Sequence, residues 1–284
     1  RWPGGIRVKD LNGKIAVVTG AGSGIGRALS QALAAQGAVL AAADLNATSA
    51  KETVAGLTGV RAGRASAHAV DVSDEDQMRS LVEAVVATHG GVDIVVNNAG
   101  ISTAPVPVVE TSLATYRTVM GVNFWGVVHG SMLFLPHLLQ RPEASLVNVS
   151  SFAGLMGISK MSPYAASKFG VRGFTESLCM ELAASPVAVT LICPGGTKTS
   201  LMMNSPVVDP ARRESMHRKM ASSGQTKSPD YVAQAILRAI KKKQARVLIG
   251  SDTKVLDKIV RVIPGAYPTL MRRIVETMFE KALG

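Results

Sequence analysis

The chain carries near its beginning the stretch Ile15-Ala-Val-Val-Thr-Gly-Ala-Gly-Ser-Gly-Ile-Gly26, in which a short apolar run meets a glycine-rich turn. An uninterrupted apolar run of this kind is typical of a strand that is buried on both faces of a parallel sheet. After the turn, apolar residues recur at helical spacing from Ile25 to Leu33, and Gly37 ends the pattern. The stretch therefore predicts a strand, a tight turn and a helix, in that order.

The same alternation of strand and helix continues along the chain. Strands that alternate with crossover helices form parallel sheets. The sequence therefore predicts an α/β protein with a doubly wound seven-stranded parallel sheet and helices on both faces, the Rossmann fold. The predicted strands lie at 15–18, 38–43, 66–72, 92–96, 146–149, 187–193 and 246–249, and further helices at about 75–88, 112–139, 164–183 and 231–242.

The glycine-rich turn has the composition of a phosphate cradle. Glycine lets the backbone approach a pyrophosphate, and the N-terminus of the following helix offers unpaired N–H groups to it. Asp44 ends the second predicted strand, where a carboxylate can accept hydrogen bonds from ribose hydroxyls and repels the additional phosphate of NADP. Since neither Ser23 nor Leu45 supplies a compensating positive charge, we expect NAD rather than NADP as the cofactor.

A second group of residues has the composition of an acid/base site. Tyr164 and Lys168 are four residues apart, so they share a face if this segment is helical. A free phenol has a pKa of about 10, and a neighbouring ammonium group favours the phenolate and lowers that pKa. We therefore expect the pair to act as a tuned acid and base. Ser151, which precedes the tyrosine, offers a hydroxyl that could hold a carbonyl oxygen.

Together these features resemble the short-chain dehydrogenase/reductase family over about residues 10–250. The joint order and spacing of several short motifs carry the resemblance. They are the turn from Thr19 to Gly26, Asp71-Val72, Asn97-Asn-Ala-Gly100, Asn123, Ser151, Tyr164-x-x-x-Lys168 and Pro194-Gly195.

The resemblance implies a role for each of four catalytic residues. Tyr164 would transfer a proton to or from the substrate oxygen, and Lys168 would lower the pKa of Tyr164 and bind the nicotinamide ribose. Ser151 would orient and polarise the carbonyl, with Ser150 as an alternative by composition. Asn123 would hold a water molecule for proton relay, although by itself it could be a buried asparagine bonded to the backbone.

The resemblance also implies a set of residues around the cofactor. The adenine would lie beside Asp71 and Val72, and Thr199 would bind the carboxamide. Thr197 replaces the valine that is usual in the family, and we expect little harm because this position mainly offers backbone groups. The full predicted set is Gly20, Ser23, Gly24, Ile25, Gly26, Asp44, Leu45, Asp71, Val72, Asn98, Ala99, Gly100, Tyr164, Lys168, Pro194, Gly195, Thr197 and Thr199.

The function that follows is an NAD(H)-dependent oxidoreductase that transfers a hydride reversibly between nicotinamide and a secondary alcohol or carbonyl. Apolar and methionine-rich candidates around the pocket favour a hydrophobic substrate, although a small diketone is an alternative. Two other hypotheses are a cofactor-binding scaffold without turnover and an enzyme at a membrane surface that acts on a lipid-like substrate. The pocket candidates are Leu155, Met156, Ile158, Met161, Met202 and Met203.

Charge and composition bear on partners. The net charge is +11, and residues 211–246 supply +8 of it. This segment is either a solvated basic face or a surface for an anion or membrane, and no nucleic-acid-binding signature accompanies it. Cys179 and Cys193 lack the spacing of a zinc or disulfide motif, and the five histidines lack ligand spacing, so we expect no metal and a reducing, cytoplasmic setting.

The organisation of the chain is predicted to be a single domain over 1–284, with a core at about 10–250. Residues 196–228 lack clean periodicity and are interpreted as a substrate loop. Residues 251–284 form a predicted helical extension that could cover the substrate site, extend an oligomer interface or lie on a membrane. The resemblance implies a homotetramer or homodimer.

Overall fold

Seven parallel strands form one sheet in the part of the chain that the structure, a computed structural model, describes: residues 10–59, 64–197, 201, 205–209 and 227–272. The strand order is β3-β2-β1-β4-β5-β6-β7, and every neighbouring pair is parallel. The strands are β1 Ile15–Thr19, β2 Val39–Asp44, β3 Ser66–Ala69, β4 Ile94–Asn97, β5 Ala144–Val149, β6 Val187–Pro194 and β7 Arg246–Ile249.

Helices cover both faces of the sheet, which confirms the predicted doubly wound architecture. The first face packs on α1 and α7 through residues such as Leu29 and Ile236, and the second packs on α3, α5 and α6 through residues such as Met78 and Phe134. The described helices are α1 Gly24–Ala35, α2 Ala47–Ala55, α3 Glu75–His89, α4 Leu113–Met120, α5 Gly126–Leu139, α6 Ser162–Glu181, α7 Pro229–Lys242 and α8 Ser251–Val262.

The strand order reverses at β1, which lies between β2 and β4. Ala16 is in register with Leu40 on one side and with Ile94 on the other. At such a reversal the connections leave the sheet in opposite directions, so a crevice opens beyond the carboxyl ends of the strands. The glycine-rich turn after β1 and the loop after β4 form the walls of this crevice.

The helix predicted over 112–139 is present but has an interruption. A π-helical turn, Gly121–Trp125, lies between α4 and α5. One additional residue in a helical turn is a feature that frequently accompanies functional sites. The apolar periodicity on either side predicted the helix correctly, whereas no sequence pattern signalled the additional residue.

The segment Leu113–Leu139 is also the one stretch among the described residues that is long and apolar enough to cross a membrane, with a mean hydropathy of 1.3. Its side chains Phe134 and Leu138 are completely buried against the sheet. Because of this burial we assign the segment to the core of the domain. A buried core helix can have the same length and composition as a membrane span.

The structure contains one helix that was not predicted, and parts of two predicted segments lie outside the described residues. Helix α2 was not predicted, because its apolar pattern is weak; Asn46 caps it by accepting a hydrogen bond from the Ser49 amide at 3.0 Å. Most of the predicted substrate loop, including Met202 and Met203, lies outside the described residues, as does the predicted extension beyond Arg272.

The histidines at the sheet edge predict how the stability depends on pH. His68 on β3 and His89 at the end of α3 both place Nε2 against the Ser66 hydroxyl, at 2.7 and 2.8 Å. Burial lowers the pKa of both rings below the ordinary 6.5; His89 further lowers that of His68, and Arg64 further lowers that of His89. Because the unfolded chain then binds more protons below about pH 6.5, we expect the free energy of unfolding to fall as the pH drops through that window.

Urea denaturation at pH 7.5 and 5.5 measures this dependence. We expect His68→Gln to lose less stability between the two pH values than the unmodified chain, and His137→Gln on α5, the control, to lose as much as the unmodified chain. An unchanged pH dependence in His68→Gln would refute the assignment.

Candidate active site

The glycine-rich turn after β1 packs directly on the end of β4. Gly20 has a φ of +65°, and a Cβ there would lie 2.8 Å from Ala99 Cα. At Gly26, in the first turn of α1, a Cβ would lie only 2.0 Å from the Gly20 carbonyl oxygen. Both positions therefore require glycine, and the turn holds its backbone against the start of α1, as a pyrophosphate cradle requires.

Asn98 fixes this turn through its side chain. Its amide nitrogen Nδ2 donates hydrogen bonds to the carbonyl oxygens of Thr19, at 2.9 Å, and Gly20, at 3.3 Å. In return, the Thr19 hydroxyl accepts from the backbone amides of Asn98, at 3.0 Å, and Ala99, at 3.1 Å. The predicted cofactor residues after β4 thus also hold the predicted phosphate cradle in place.

Asp44 links the end of β2 to the same turn. One carboxylate oxygen accepts from the Gly22 amide at 2.8 Å and the other accepts from the Asn46 amide at 2.9 Å. Leu45, which follows, is 73% exposed. Arg27, which directly follows the glycine-rich turn, points to α2 instead and pairs with Glu52 at 3.2 Å. The carboxylate therefore lies at the rim of the crevice, and the nearby cation is engaged elsewhere.

The predicted adenine border, Asp71 and Val72, follows β3. The Asp71 carboxylate accepts from the Ser73 amide at 2.9 Å and from the Ser73 hydroxyl at 2.7 Å. Val72 packs on Gly126, where a Cβ would lie 2.7 Å from Val72 Cγ2. These contacts give both residues fixed positions, and their role at the adenine stays a prediction.

Tyr164 and Lys168 lie one turn apart on α6, and both side chains are buried. The Lys168 ammonium lies 6.0 Å from the centre of the tyrosine ring and donates a hydrogen bond to the Val149 carbonyl at 3.1 Å. A Cβ on Gly100 would lie 3.5 Å from Lys168 Nζ. Helix α6 and the loop after β4 therefore bring the predicted acid/base pair beside the predicted cofactor residues.

The two candidate serines have different partners. The Ser151 hydroxyl hydrogen-bonds to the phenol of Tyr164, and it also accepts from the Ala153 amide at 3.2 Å. The Ser150 hydroxyl instead donates to the Lys168 carbonyl at 2.8 Å and lies against Gly154. The geometry thus favours Ser151 over Ser150 as the hydroxyl next to the acid/base group.

Burial dominates the electrostatics of the pair. It raises the pKa of the Tyr164 phenol, and the hydrogen bond with Ser151 opposes this effect. Burial also lowers the pKa of the Lys168 ammonium to about 8, while the nearby Cys193 thiol opposes that shift. Burial thus outweighs the hydrogen bond from Ser151 at the Tyr164 phenol, and the lowering of the tyrosine pKa by Lys168 stays a prediction.

Asn123 lies in the π-helical turn and is fully buried. Its Nδ2 donates to the Ile101 carbonyl at 2.9 Å and to the Ser167 hydroxyl at 3.1 Å, while its Oδ1 accepts from the Ile101 amide at 2.8 Å. Both amide hydrogens are thus used, which fits the alternative of a backbone-bonded asparagine. A water relay stays a prediction that would rest on the second lone pair of Oδ1 or on backbone groups.

The loop after β6 contains the last predicted cofactor residues. The Gly195 amide donates to the Ile249 carbonyl at 2.9 Å, and the Thr197 hydroxyl donates to the Gly195 carbonyl at 3.1 Å. The chain returns at Lys227, whose amide donates to the Gly196 carbonyl at 2.9 Å. Thr199 lies outside the described residues.

Apolar residues surround the tyrosine as predicted. Ile158 packs with Tyr164 and Ala153, and Met161 and Leu201 pack against this cluster. Leu155, also predicted here, instead packs in a separate cluster with Val171 and Leu191, and Met156 is buried outside the Tyr164 cluster.

One contact at the mouth of the crevice was missed by the sequence analysis. Ser205 donates a hydrogen bond to the Ser102 carbonyl, so the segment 205–209 crosses the loop after β4. Neither serine belongs to a recognisable motif, so no signal in the sequence could have paired them.

Comparison with known proteins agrees with this geometry. A family model described as short chain dehydrogenase matches residues 14–207. The chain is 36% identical over 274 residues to a Mycobacterium tuberculosis protein named "Putative oxidoreductase SadH", covering 96% of this chain and 99% of that protein. It is 30% identical over 262 residues to a cyclohexanol dehydrogenase of Acinetobacter, covering 92% of this chain and 98% of that protein.

A solved structure has the same fold. It is that of a short chain dehydrogenase/reductase from Burkholderia phymatum in complex with NAD, which is 29% identical. The match has a TM-score of 0.77 and covers 93% of this chain and 96% of that chain. The crevice, the buried tyrosine–lysine pair and these similarities establish that the chain belongs to the short-chain dehydrogenase/reductase family of oxidoreductases.

Proposed function

We propose that the protein is an NAD(H)-dependent oxidoreductase that interconverts a hydrophobic secondary alcohol and its carbonyl. The observation that carries this proposal is the placement of Ser151, Tyr164 and Lys168 beside Gly100, at the same edge of the sheet as the glycine-rich turn. The turn fits a dinucleotide because Gly20 and Gly26 leave no room for a Cβ, so the backbone of the turn packs closely against the end of β4 and the start of α1.

The nicotinamide supplies or accepts the hydride when it is bound. In the reducing direction the carbonyl carbon gains that hydride, and the Tyr164 phenol gives its proton to the carbonyl oxygen. Ser151 donates a hydrogen bond to the same oxygen and stabilises the negative charge that develops there. Lys168, held by the Val149 carbonyl, places a positive charge near the resulting phenolate.

The protonation state of Tyr164 links the proposed reaction to pH. Burial raises the pKa of the Tyr164 phenol, so the phenol holds its proton. Oxidation of an alcohol requires the phenolate instead. We therefore propose that alcohol oxidation gains as the pH rises.

Replacing Tyr164 by Phe removes the proton donor and keeps the aromatic ring. We expect turnover to fall by about 100- to 10,000-fold, the usual contribution of a positioned acid or base. NADH affinity should stay within about 3-fold, because the phenol is not part of the phosphate cradle. Turnover is measured as NADH absorbance at 340 nm with cyclic and aliphatic ketones, and affinity by NADH fluorescence.

The conservative control is Tyr116→Phe, which removes a phenol on α4 that is bonded to Ser162, the first residue of α6, at 2.6 Å. That variant should keep its turnover. Full activity in Tyr164→Phe would remove the proposed mechanism, and NADH binding without turnover on any carbonyl or alcohol would favour the scaffold hypothesis.

We propose NAD rather than NADP as the preferred cofactor. The Asp44 carboxylate lies at the rim of the crevice where a ribose 2′-phosphate would meet it, and Arg27 is paired with Glu52. The Burkholderia phymatum structure is described as a complex with NAD. A fixed carboxylate repels a phosphate and accepts from ribose hydroxyls, so one residue provides both preference and binding.

Asp44→Asn removes the charge but keeps an oxygen for the Gly22 amide. We expect the ratio of kcat/KM for NADH to that for NADPH to fall by about 10-fold or more, as the loss of a charged hydrogen bond predicts. Glu83→Gln, which removes an exposed carboxylate on α3, is the matched control. Preference for NADPH in the unmodified protein would overturn the assignment.

We propose a hydrophobic substrate because the surroundings of Tyr164 are apolar. Ile158 is buried against Tyr164, and Met161 and Leu201 pack on the same cluster. The similar Acinetobacter protein is named for cyclohexanol, a secondary alcohol on an apolar ring. Cyclic ketones are therefore the first substrates to assay.

We propose that the protein is a cytoplasmic homodimer or homotetramer. Large apolar side chains remain exposed on the π-helical turn, α5 and α6, which is typical of a surface that another protein covers. Both cysteines are free, and Cys193 is buried, as suits a reducing compartment. The exposed side chains are Trp125, Met132, Phe169 and Met180.

An alternative location is a membrane surface, which the exposed side of α8 favours. Val255 and Val262 are exposed there beside Lys254 and Lys258, a pattern that suits an anionic lipid surface. Sedimentation with and without anionic vesicles tests both proposals. We expect a mass of two or four chains without vesicles; pelleting with vesicles that Val262→Glu abolishes would support the membrane, and no pelleting would reject it.

A further inference from the structure

We propose that the first two turns of α8 position the loop Pro194-Gly195-Gly196 and thereby the nicotinamide half of the cofactor site. This inference rests on the proposed function and extends it to residues that follow β7. Helix α8, which follows β7, is then a positioning element of the site, and its N-terminal turn supports the loop.

The loop and the helix are in close contact. A Cβ on Gly195 would lie 2.7 Å from both Asp252 Oδ2 and Thr253 Oγ1, which belong to the first turn of α8. Gly250, two residues before Asp252, has a φ of +114°, and this conformation turns the chain back toward Gly195. A side chain at position 195 would therefore require Asp252 and Thr253 to move.

One carbonyl group joins the two elements. The Ile249 oxygen accepts from the Gly195 amide at 2.9 Å and from the Thr253 hydroxyl at 3.3 Å. Thr253 is completely buried, so its hydroxyl has a fixed environment. The loop after β6, the end of β7 and the start of α8 therefore share one hydrogen-bonded point.

An ion pair fixes the next turn of α8 to the sheet. The Asp257 carboxylate accepts from Arg246 on β7 at 2.6 and 3.2 Å, and Arg261 on α8 approaches it at 3.1 Å. Burial raises the pKa of Asp257, but the bonds from the two arginines outweigh it and hold that pKa below its ordinary value. Arg246 is in register with Leu191 of β6, so the pair ties α8 to the strand that leads into the loop.

The consequence is confined to one half of the cofactor. The glycine-rich turn and Asp44 are held by β1, β2 and β4, and none of the described hydrogen bonds of α8 goes to them. The Gly196 carbonyl also accepts from the Lys227 amide, so the loop that α8 supports is bonded to the residue at which the chain returns to the sheet. Loosening α8 should therefore weaken contacts to nicotinamide and leave the adenosine diphosphate half in place.

Binding measurements on the full chain separate these halves. NADH and ADP-ribose are titrated by calorimetry against Thr253→Val and Asp257→Asn, with the exposed Lys258→Gln on the same helix as control. We expect the NADH Kd to rise by about 5-fold or more in the first two variants, the usual effect of one lost buried hydrogen bond, with ADP-ribose affinity unchanged.

The outcomes are distinct. An unchanged NADH Kd in Thr253→Val, or an equal loss of ADP-ribose affinity, would overturn the inference, since general destabilisation moves both ligands. Thr253→Val keeps the test valid where Asp257→Asn fails to fold. An unmodified protein that binds ADP-ribose but not NADH would contradict the proposed function itself.

Discussion

The contact between the glycine-rich turn and the end of β4 is the constraint on which the site depends. Gly20 lies against Ala99 with no room for a side chain, and Asn98 bonds to the carbonyls of Thr19 and Gly20. These contacts hold together the two loops that leave the sheet at its reversal of strand order. The same contacts therefore hold the phosphate cradle and the loop after β4 that lies beside Lys168, so a shift of either loop displaces both.

Burial is the second physical condition, and it acts on both members of the acid/base pair. It disfavours the phenolate of Tyr164 and the ammonium form of Lys168. Each group is thereby biased toward its neutral form, and a charge on either one is stabilised by a charge on the other.

Much of the fold could be predicted because its signals are local. Buried parallel strands appear in the sequence as short apolar runs. Gly20 and Gly26 are required by close backbone contacts, and both belong to the glycine-rich motif. The order of motifs also identified which residues approach one another. The direction of the tyrosine pKa could not be predicted, because the degree of burial depends on packing by residues such as Ile158 that no motif includes. The contact of Thr253 with Gly195 was likewise hidden, since it joins two ordinary segments far apart in the chain.

The additional residue in the π-helical turn allows one helical segment to meet two structural requirements. Val119 before the turn and Phe134 after it must face the core, whereas Asn123 must reach the loop after β4, where it bonds to both backbone groups of Ile101. In a regular helix one residue corresponds to a rotation of about 100°. An additional residue in the turn supplies that rotation, so the asparagine points into the site while the apolar side chains on both sides keep their contacts. The interruption is therefore a condition for joining the core helix to the site, and the hydrogen bonds of Asn123 maintain it.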